Sequence, residues 1–312
     1  MNGKKIREQF ADTILDIGNK NKNIVVLVGD ISHGIMQPFA KKYPDRYYNI
    51  GICEPAMVNV AAGLSKMNLV PIVHTITPFL IERSFEQIKL DFAYQKLGVN
   101  LVSVGATFDY SKLGCSHHSY SDFAMINQFE NSNFIYPGSA LEFDILFKKI
   151  YKKNAINYFR ISDFSHKFIF KKKQIQFGKG ILCESGKDLT VICNSALLDD
   201  AIEVSKKLKL NKINLDIIYL HTLKPIDKDL IIKSAKKTKR ILILENFNSV
   251  GGMSSICFDF LKNIKNIKIE NIAINKLIHE YGTYDNLKNK AGLNQENIIK
   301  KIKKLLDKKI NL

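Results

Sequence analysis

No stretch of this sequence stays apolar long enough to cross a bilayer, which excludes a helical membrane protein. The N-terminal stretch MNGKKIREQFADTILDIG has neither a continuous apolar core nor a small-residue cleavage site. It reads as an amphipathic helix rather than a signal peptide, and the expected location is the cytoplasm. Cysteines are few and widely spaced (Cys53, Cys115, Cys183, Cys193 and Cys257), with no CxxC pair. Neither a disulfide framework nor a structural zinc site is supported, and buried thiols in a reducing compartment are expected. Acidic residues are outnumbered, 30 against 47 basic ones, giving a net charge of +17. That excess would suit a nucleic-acid partner. It is spread along the whole chain, however, with short clusters only at 171–173 and 300–304. Zinc-finger spacing, an RNP motif and a basic-region heptad are all missing, so no nucleic-acid role is expected. Internal repeats and low-complexity segments are absent too.

What is present is the rhythm of an α/β protein. At 312 residues, with 46% hydrophobic and 25% charged residues, the chain can build two ordinary cores. Short β-rich runs are expected as strands at 24–30, 70–75, 99–104, 134–136 and 157–161, with helices at 54–66, 79–95, 121–129 and 140–152 between them. The rhythm lapses over about 166–186, which carries a lysine run and two close glycines and is expected as a linker. A second series follows. Its strands are expected at 189–194, 215–219, 240–245 and 267–272, its helices at 197–208, 228–236 and 295–306, and one more helix opens at Gly251-Gly252. The expected fold is therefore two domains, 1–165 and 187–312, each a mostly parallel sheet covered by helices.

Four segments carry chemistry. In YNIGICEPAMVNVAAGLS (residues 48–65), Gly51 delivers Glu54 to the start of a small-residue helix. Glutamate there commonly just complements the helix dipole. In HTITPFLIERSFEQIKLD (74–91), Phe79 follows Pro78 at a strand-to-helix turn, where it is either a stacking surface or core. Phe85 lies deeper in the same helix, a position that favours core packing. In FDYSKLGCSHHSYSDFAMINQF (108–129), a Gly-x-Ser turn presents His117 and His118. Adjacent histidines rarely share one metal ion, so solvent-exposed imidazoles or a substrate contact are the alternatives. In NYFRISD (157–163), Arg160 ends a strand, where it suits either a phosphate or an ion pair with Asp163.

These segments, in this order, resemble the transketolase family over nearly the whole chain. Gly51, Ile52, Glu54 and Met57 match its Gly-Ile-x-Glu-x-x-Met run, and Gly114, Ser116 and His117 match its Asp-Gly-x-Thr/Ser-His-Gln loop. Leu223–Asp227 and Glu245–Gly252 resemble stretches of its C-terminal domain, a domain that implies dimer stabilisation rather than chemistry. The resemblance implies thiamine diphosphate as cofactor. Glu54 would share a proton with the pyrimidine N1′, and Phe79 would stack on the ring. Phe85 would be a second aromatic on the cofactor side. Asp30, in VGD, would sit beside the cofactor in a supporting role. It also implies that His117, His118 and Arg160 contact a sugar or sugar phosphate.

Two departures bear on specificity. Leu113 stands where the family has Asp and His118 where it has Gln, so the sugars can differ from the standard pentose and hexose phosphates. Ile76 and Glu82 also replace aromatics near the pyrimidine pocket.

The Gly-Asp-Gly…Asn motif that holds Mg²⁺ and the diphosphate is absent. The resemblance therefore implies a separate N-terminal subunit that holds them, with self-association of this chain into an α₂β₂ assembly. The implied reaction is transfer of a two-carbon ketol unit, and the chain would be a transferase subunit active only with its partner. The alternatives are a 1-deoxyxylulose-phosphate-synthase-like or 2-oxo acid dehydrogenase β-like subunit, and a non-catalytic interaction subunit.

Overall fold

The computed structural model describes residues 3–195 and 197–307. Met1, Asn2, Ala196 and residues 308–312, with the outer ends of the 1–165 and 187–312 spans among them, lie outside the described residues. The N-terminal half supplies β1 (Ile24–Val28), β2 (Tyr47–Asn49), β3 (Val70–Ile76), β4 (Val99–Val104), β5 (Ser132–Ile135) and β6 (Ile156–Ile161). The C-terminal half supplies β7 (Ile181–Glu184), β8 (Leu189–Asn194), β9 (Leu215–Leu220), β10 (Thr222–Lys224), β11 (Arg240–Leu244) and β12 (Lys268–Ile272). Runs such as IVVLV and VNLVSV are buried at every position. Strands covered by helices on both faces require this, because neither face meets water.

Two sheets result, with strand orders β10-β5-β6-β4-β3-β1-β2 and β12-β11-β8-β9-β7. Pairing is parallel except at one edge of each: β10 runs antiparallel to β5, and β7 antiparallel to β9. Two doubly covered, mostly parallel sheets are the expected fold class. The two antiparallel edges were not expected. Strand β7 lies inside the segment expected as a linker, and β10 crosses back from the second half of the chain to close the edge of the first sheet. There Lys224 Nζ donates to the carbonyls of Asn127 and Phe129 and to Ser132 Oγ, so an edge that could recruit another strand is covered.

A buried carboxylate joins the two halves. Glu142, on the Ala140–Ile150 helix, accepts from His166 Nε2 at 2.7 Å, from the Tyr219 hydroxyl at 2.6 Å and from the Gly138 N–H at 2.8 Å. Tyr219 belongs to β9 and His166 to the connecting segment, so that segment is packed into the core rather than strung loosely between domains.

The Gly-Gly turn of the second half has a steric reason. Gly251 sits at φ +73°, and a Cβ on Gly252 would lie 2.1 Å from the Asn248 carbonyl oxygen. The turn brings the start of the Met253–Leu261 helix onto Glu245, whose carboxylate accepts from the N–H of Met253 at 2.6 Å and of Ser254 at 3.2 Å. No helix of the described residues is long and apolar enough to cross a membrane.

Candidate active site

The chain leaves β1 to form β2 on one side of it, then crosses to form β3 on the other. In an open parallel sheet such a reversal leaves a crevice at the carboxyl ends of the strands, where ligands bind. The segments following β1, β2, β3 and β4 carry Asp30, Glu54, Phe79 and the 105–121 loop, so most of the sequence candidates share this end of the sheet.

The first two turns are laced together. Asp30 adopts φ +51° and its carboxylate accepts from Asn49 Nδ2 at 3.0 Å and pairs with His33 Nε2 at 3.0 Å. Asn49 Oδ1 in turn accepts from the N–H of Asp30 and of Gly51, each at 3.0 Å. The Asn49 amide and the His33 ring hold the exposed Asp30 carboxyl below its ordinary range. Gly51 needs its glycine because φ is +79°. Its turn places Glu54 at the first position of the Glu54–Lys66 helix, only 1% exposed. Asn49 is a site residue that sequence reasoning missed; its signal is an amide at the last position of a strand that ends in the crevice.

The segment after β3 is not the single regular helix expected at 79–95. Wide π-type turns at Pro78–Glu82 and Ile88–Tyr94 flank a short α turn at Phe85–Gln87. Winding of this kind keeps residues four apart on one face, as an α-helix also does, and marks functional sites in many helices. Here it sets the Arg83 guanidinium 4.2 Å from the centre of the Phe79 ring. Arg83 Nη1 also donates to Glu54 Oε2 at 2.7 Å. Phe79 meets His117 edge-on at 5.1 Å, and His117 Nδ1 lies 3.0 Å from Ser116 Oγ. Burial, and then the Arg83 charge, pull the His117 imidazole below its usual range, so it is neutral and able to donate or accept at pH 7. Glu54, Phe79, Arg83 and His117 thus form one cluster that opens to solvent on the Arg83 side. Glu82, next to Arg83, accepts from Ser119 Oγ at 2.9 Å and Ser121 Oγ at 3.0 Å and ties the histidine loop to this segment. Neither Arg83 nor Glu82 was singled out for such a role.

Three expected positions are corrected. Phe85 stacks on Phe129 at 5.3 Å and packs, half-buried, against the core, because residues six apart lie on different faces of a helix. His118 is buried edge-on against Phe108 at 5.3 Å, and extended backbone sends it to the opposite side from His117. Arg160 is fully buried, because β6 lies inside the sheet between β5 and β4. Its Nε lies 2.9 Å from Asp122, not Asp163, and its Nη2 donates to the Ser119 carbonyl at 2.7 Å and to Thr107 Oγ1 at 3.1 Å. The rings of Tyr136 and Phe247 lie 4.7 and 4.5 Å from the guanidinium. Burial, the largest influence, works against the charge, but the Asp122 carboxylate together with Tyr136, Tyr158 and Asp109 more than offsets it and holds Arg160 ionised. Arg160 therefore braces the histidine loop from behind and does not face a phosphate.

Asp109 anchors the front of that loop. Its carboxylate accepts from the N–H of Ala106 at 2.9 Å and of Asp163 at 3.0 Å, and from Ser162 Oγ at 3.0 Å. Burial pushes it from 3.8 up to about 7. Between those values the folded chain binds the proton that the unfolded chain has lost, so this group's contribution to stability falls as pH rises through that window. The limiting slope is about 1.4 kcal/mol per pH unit. Denaturant midpoints measured from pH 5 to 8 are expected to decline less steeply in Asp109→Asn than in the wild type. Parallel declines would contradict the assignment.

A planar aminopyrimidine fits this cluster, since it asks for a buried carboxyl group beside an aromatic face, and Glu54 and Phe79 supply both. Among the described residues, no group of three or more His, Cys, Asp or Glu side chains is placed to hold a metal ion.

Comparison with known proteins agrees with this architecture. The family profile "Transketolase, pyrimidine binding domain" matches residues 2–163, and "Transketolase, C-terminal domain" matches residues 178–298. The chain belongs to the transketolase family. It is 29% identical to a putative transketolase C-terminal section of Methanocaldococcus jannaschii, covering 96% of this chain and 95% of that protein. It is 28% identical to an apulose-4-phosphate transketolase subunit of Phocaeicola vulgatus, covering 94% and 95%. A solved structure described as a split-gene transketolase, an inactive β4 tetramer, superposes with a TM-score of 0.89 at 28% identity, over 98% of this chain and 99% of that one.

Proposed function

We propose that this chain is the pyrimidine-side subunit of a thiamine-diphosphate-dependent transketolase that moves a two-carbon ketol unit from a ketose to an aldose. The observation that carries the reading is Glu54, a carboxylate buried at the C-terminal end of the sheet and linked through Arg83 to the ring of Phe79. When bound, thiamine diphosphate supplies the nucleophilic carbon and the electron sink. Glu54, itself buried, holds and returns a proton at the pyrimidine ring nitrogen. Phe79 fixes the plane of the ring. His117, neutral and oriented by Ser116, donates to or accepts from the hydroxyl and carbonyl oxygens of the sugar. Asp30 and Asn49 keep the neighbouring turns in register.

The diphosphate and Mg²⁺ are assigned to a separate N-terminal subunit. Two relatives, one named as a transketolase C-terminal section and the other as one subunit of a transketolase, match this chain nearly end to end. The solved neighbour is described as inactive when it is a tetramer of β chains. Exposed apolar side chains around the Glu54–Lys66 helix support a covered face here: Ile52, two residues upstream of Glu54, is 70% exposed, and Val60, further along the helix, is also exposed. The assembly proposed is α₂β₂.

The test is ketol transfer from hydroxypyruvate to a panel of aldoses and aldose phosphates by the co-expressed pair with Mg²⁺ and thiamine diphosphate. Transfer to an aldose is expected; inactivity on every acceptor would sink the reading. In the same assay, His117→Ala is expected to lower kcat/KM about ten- to a hundredfold, the weight of one or two hydrogen bonds at a reacting sugar. Ser116→Ala, which disturbs only the orientation of the ring, should lose less.

A further inference from the structure

Glu54 and Phe79 are the two groups an aminopyrimidine needs, and in this chain Arg83 engages both. Its Nη1 donates to Glu54 Oε2 at 2.7 Å, and its guanidinium carbon lies 4.2 Å from the centre of the Phe79 ring. A guanidinium is flat, delocalised and rich in donors. It can therefore lie on an aromatic face while its edge meets a carboxylate, as an aminopyrimidine does. Its position follows from the wide turn in which the Arg83 N–H bonds the Pro78 carbonyl at 3.0 Å, five residues back. The side chain is 43% exposed while Glu54 is 1% exposed, so the arginine enters from the solvent side and can leave the same way.

We propose that Arg83 is a built-in stand-in for the pyrimidine: a latch that closes the site of the free chain, keeps the buried Glu54 carboxylate paired, and is displaced when the cofactor ring enters. This rests on the proposed thiamine diphosphate site and adds to it a competitor held within the chain. Removing this cation from Glu54 without replacement would leave a buried carboxylate uncompensated, which is costly. The latch lets the chain fold and wait for its partner without that cost. Any ligand that must displace it binds more weakly by the fraction of time the site is open. A latch closed for about nine-tenths of the time weakens apparent affinity about tenfold.

The experiment uses the complex of this chain with its N-terminal subunit and titrates thiamine diphosphate with Mg²⁺ by calorimetry and stopped flow. Arg83→Gln is expected to tighten Kd about tenfold and to speed association. Arg83→Lys keeps the charge beside Glu54 and so protects the fold, but it forfeits the flat contact with Phe79; an intermediate tightening is expected. In a Glu54→Gln background the latch is already loosened, so Arg83→Gln should change Kd less than about twofold. Without cofactor, the Arg83→Gln chain should melt lower than wild type, and saturating cofactor should close that gap in the complex.

A wild-type complex that binds while both Arg83 variants leave Kd and the association rate unchanged would overturn the latch alone. Weaker binding by both variants would also overturn it, by showing that Arg83 holds the bound cofactor. A wild-type complex that fails to bind thiamine diphosphate would instead overturn the site itself.

Discussion

Glu54→Gln in the assembled enzyme is expected to lower kcat about a hundred- to ten-thousandfold, the range contributed by a positioned acid–base group. Glutamine keeps the shape of the side chain and an oxygen for Arg83 at 2.7 Å, so the chain should fold and assemble. It cannot take up and return a proton, which is the role the buried carboxyl group has in the proposed reaction. The loss should therefore fall on kcat, with a smaller change in KM for either sugar. Circular dichroism and gel filtration of the variant separate a chemical loss from a folding one. A folded, assembled Glu54→Gln enzyme with full activity would remove the catalytic assignment and leave the chain an interaction subunit.

The largest stability effect belongs to Arg160. Arg160→Met is expected to cost about 3–5 kcal/mol, because it leaves Asp122 charged and fully buried without its partner. Asp122 accepts from the Tyr158 hydroxyl at 2.8 Å, and that bond alone does not compensate a buried charge. Adding Asp122→Leu to Arg160→Met should recover a substantial part of the loss, since the pair is then replaced by apolar side chains. Arg160→Lys is not conservative either: one ammonium group cannot meet Asp122, Thr107 and Ser119 while lying between two rings. Denaturant unfolding measures these costs. The kinetics discriminate too, because a brace behind the histidine loop affects phosphorylated and unphosphorylated acceptors alike. An Arg160→Lys enzyme of unchanged stability whose KM rises only for phosphorylated sugars would restore a phosphate-binding role.

The contrast between Glu54 and Arg160 shows what the sequence could and could not convey. Local pattern was sufficient where a segment's own residues decide its structure. The run VNLVSV forms β4, LTVICN forms β8, and the small-residue helix Glu54–Lys66 begins at the carboxylate. Pattern failed where a distant partner decides. The exposure of Arg160 depends on β5 beside it and on Phe247 from the other half of the chain. Strands β7 and β10 are short, and each exists because an edge elsewhere in the fold needs a partner. The His33–Lys42 helix escaped notice because Gly34 and Pro38 are breakers by local rule, while burial of Met36 and Phe39 overrides them. Within the candidate site, a glutamate at a helix start, an aromatic after a proline and a histidine in a glycine turn could each be picked out from their neighbours. Arg83 escapes notice although its spacing of four from Phe79 puts the two on one helix face, because an arginine in an exposed helical stretch reads as an ordinary solvated side chain.

The proposal that this chain holds one half of a shared cofactor site is tested most directly by calorimetry. Thiamine diphosphate with Mg²⁺ is titrated into the chain alone and into the chain with its N-terminal partner. Saturable binding by the pair and little heat from the lone chain is the predicted result. Equally tight binding by the chain alone would contradict it.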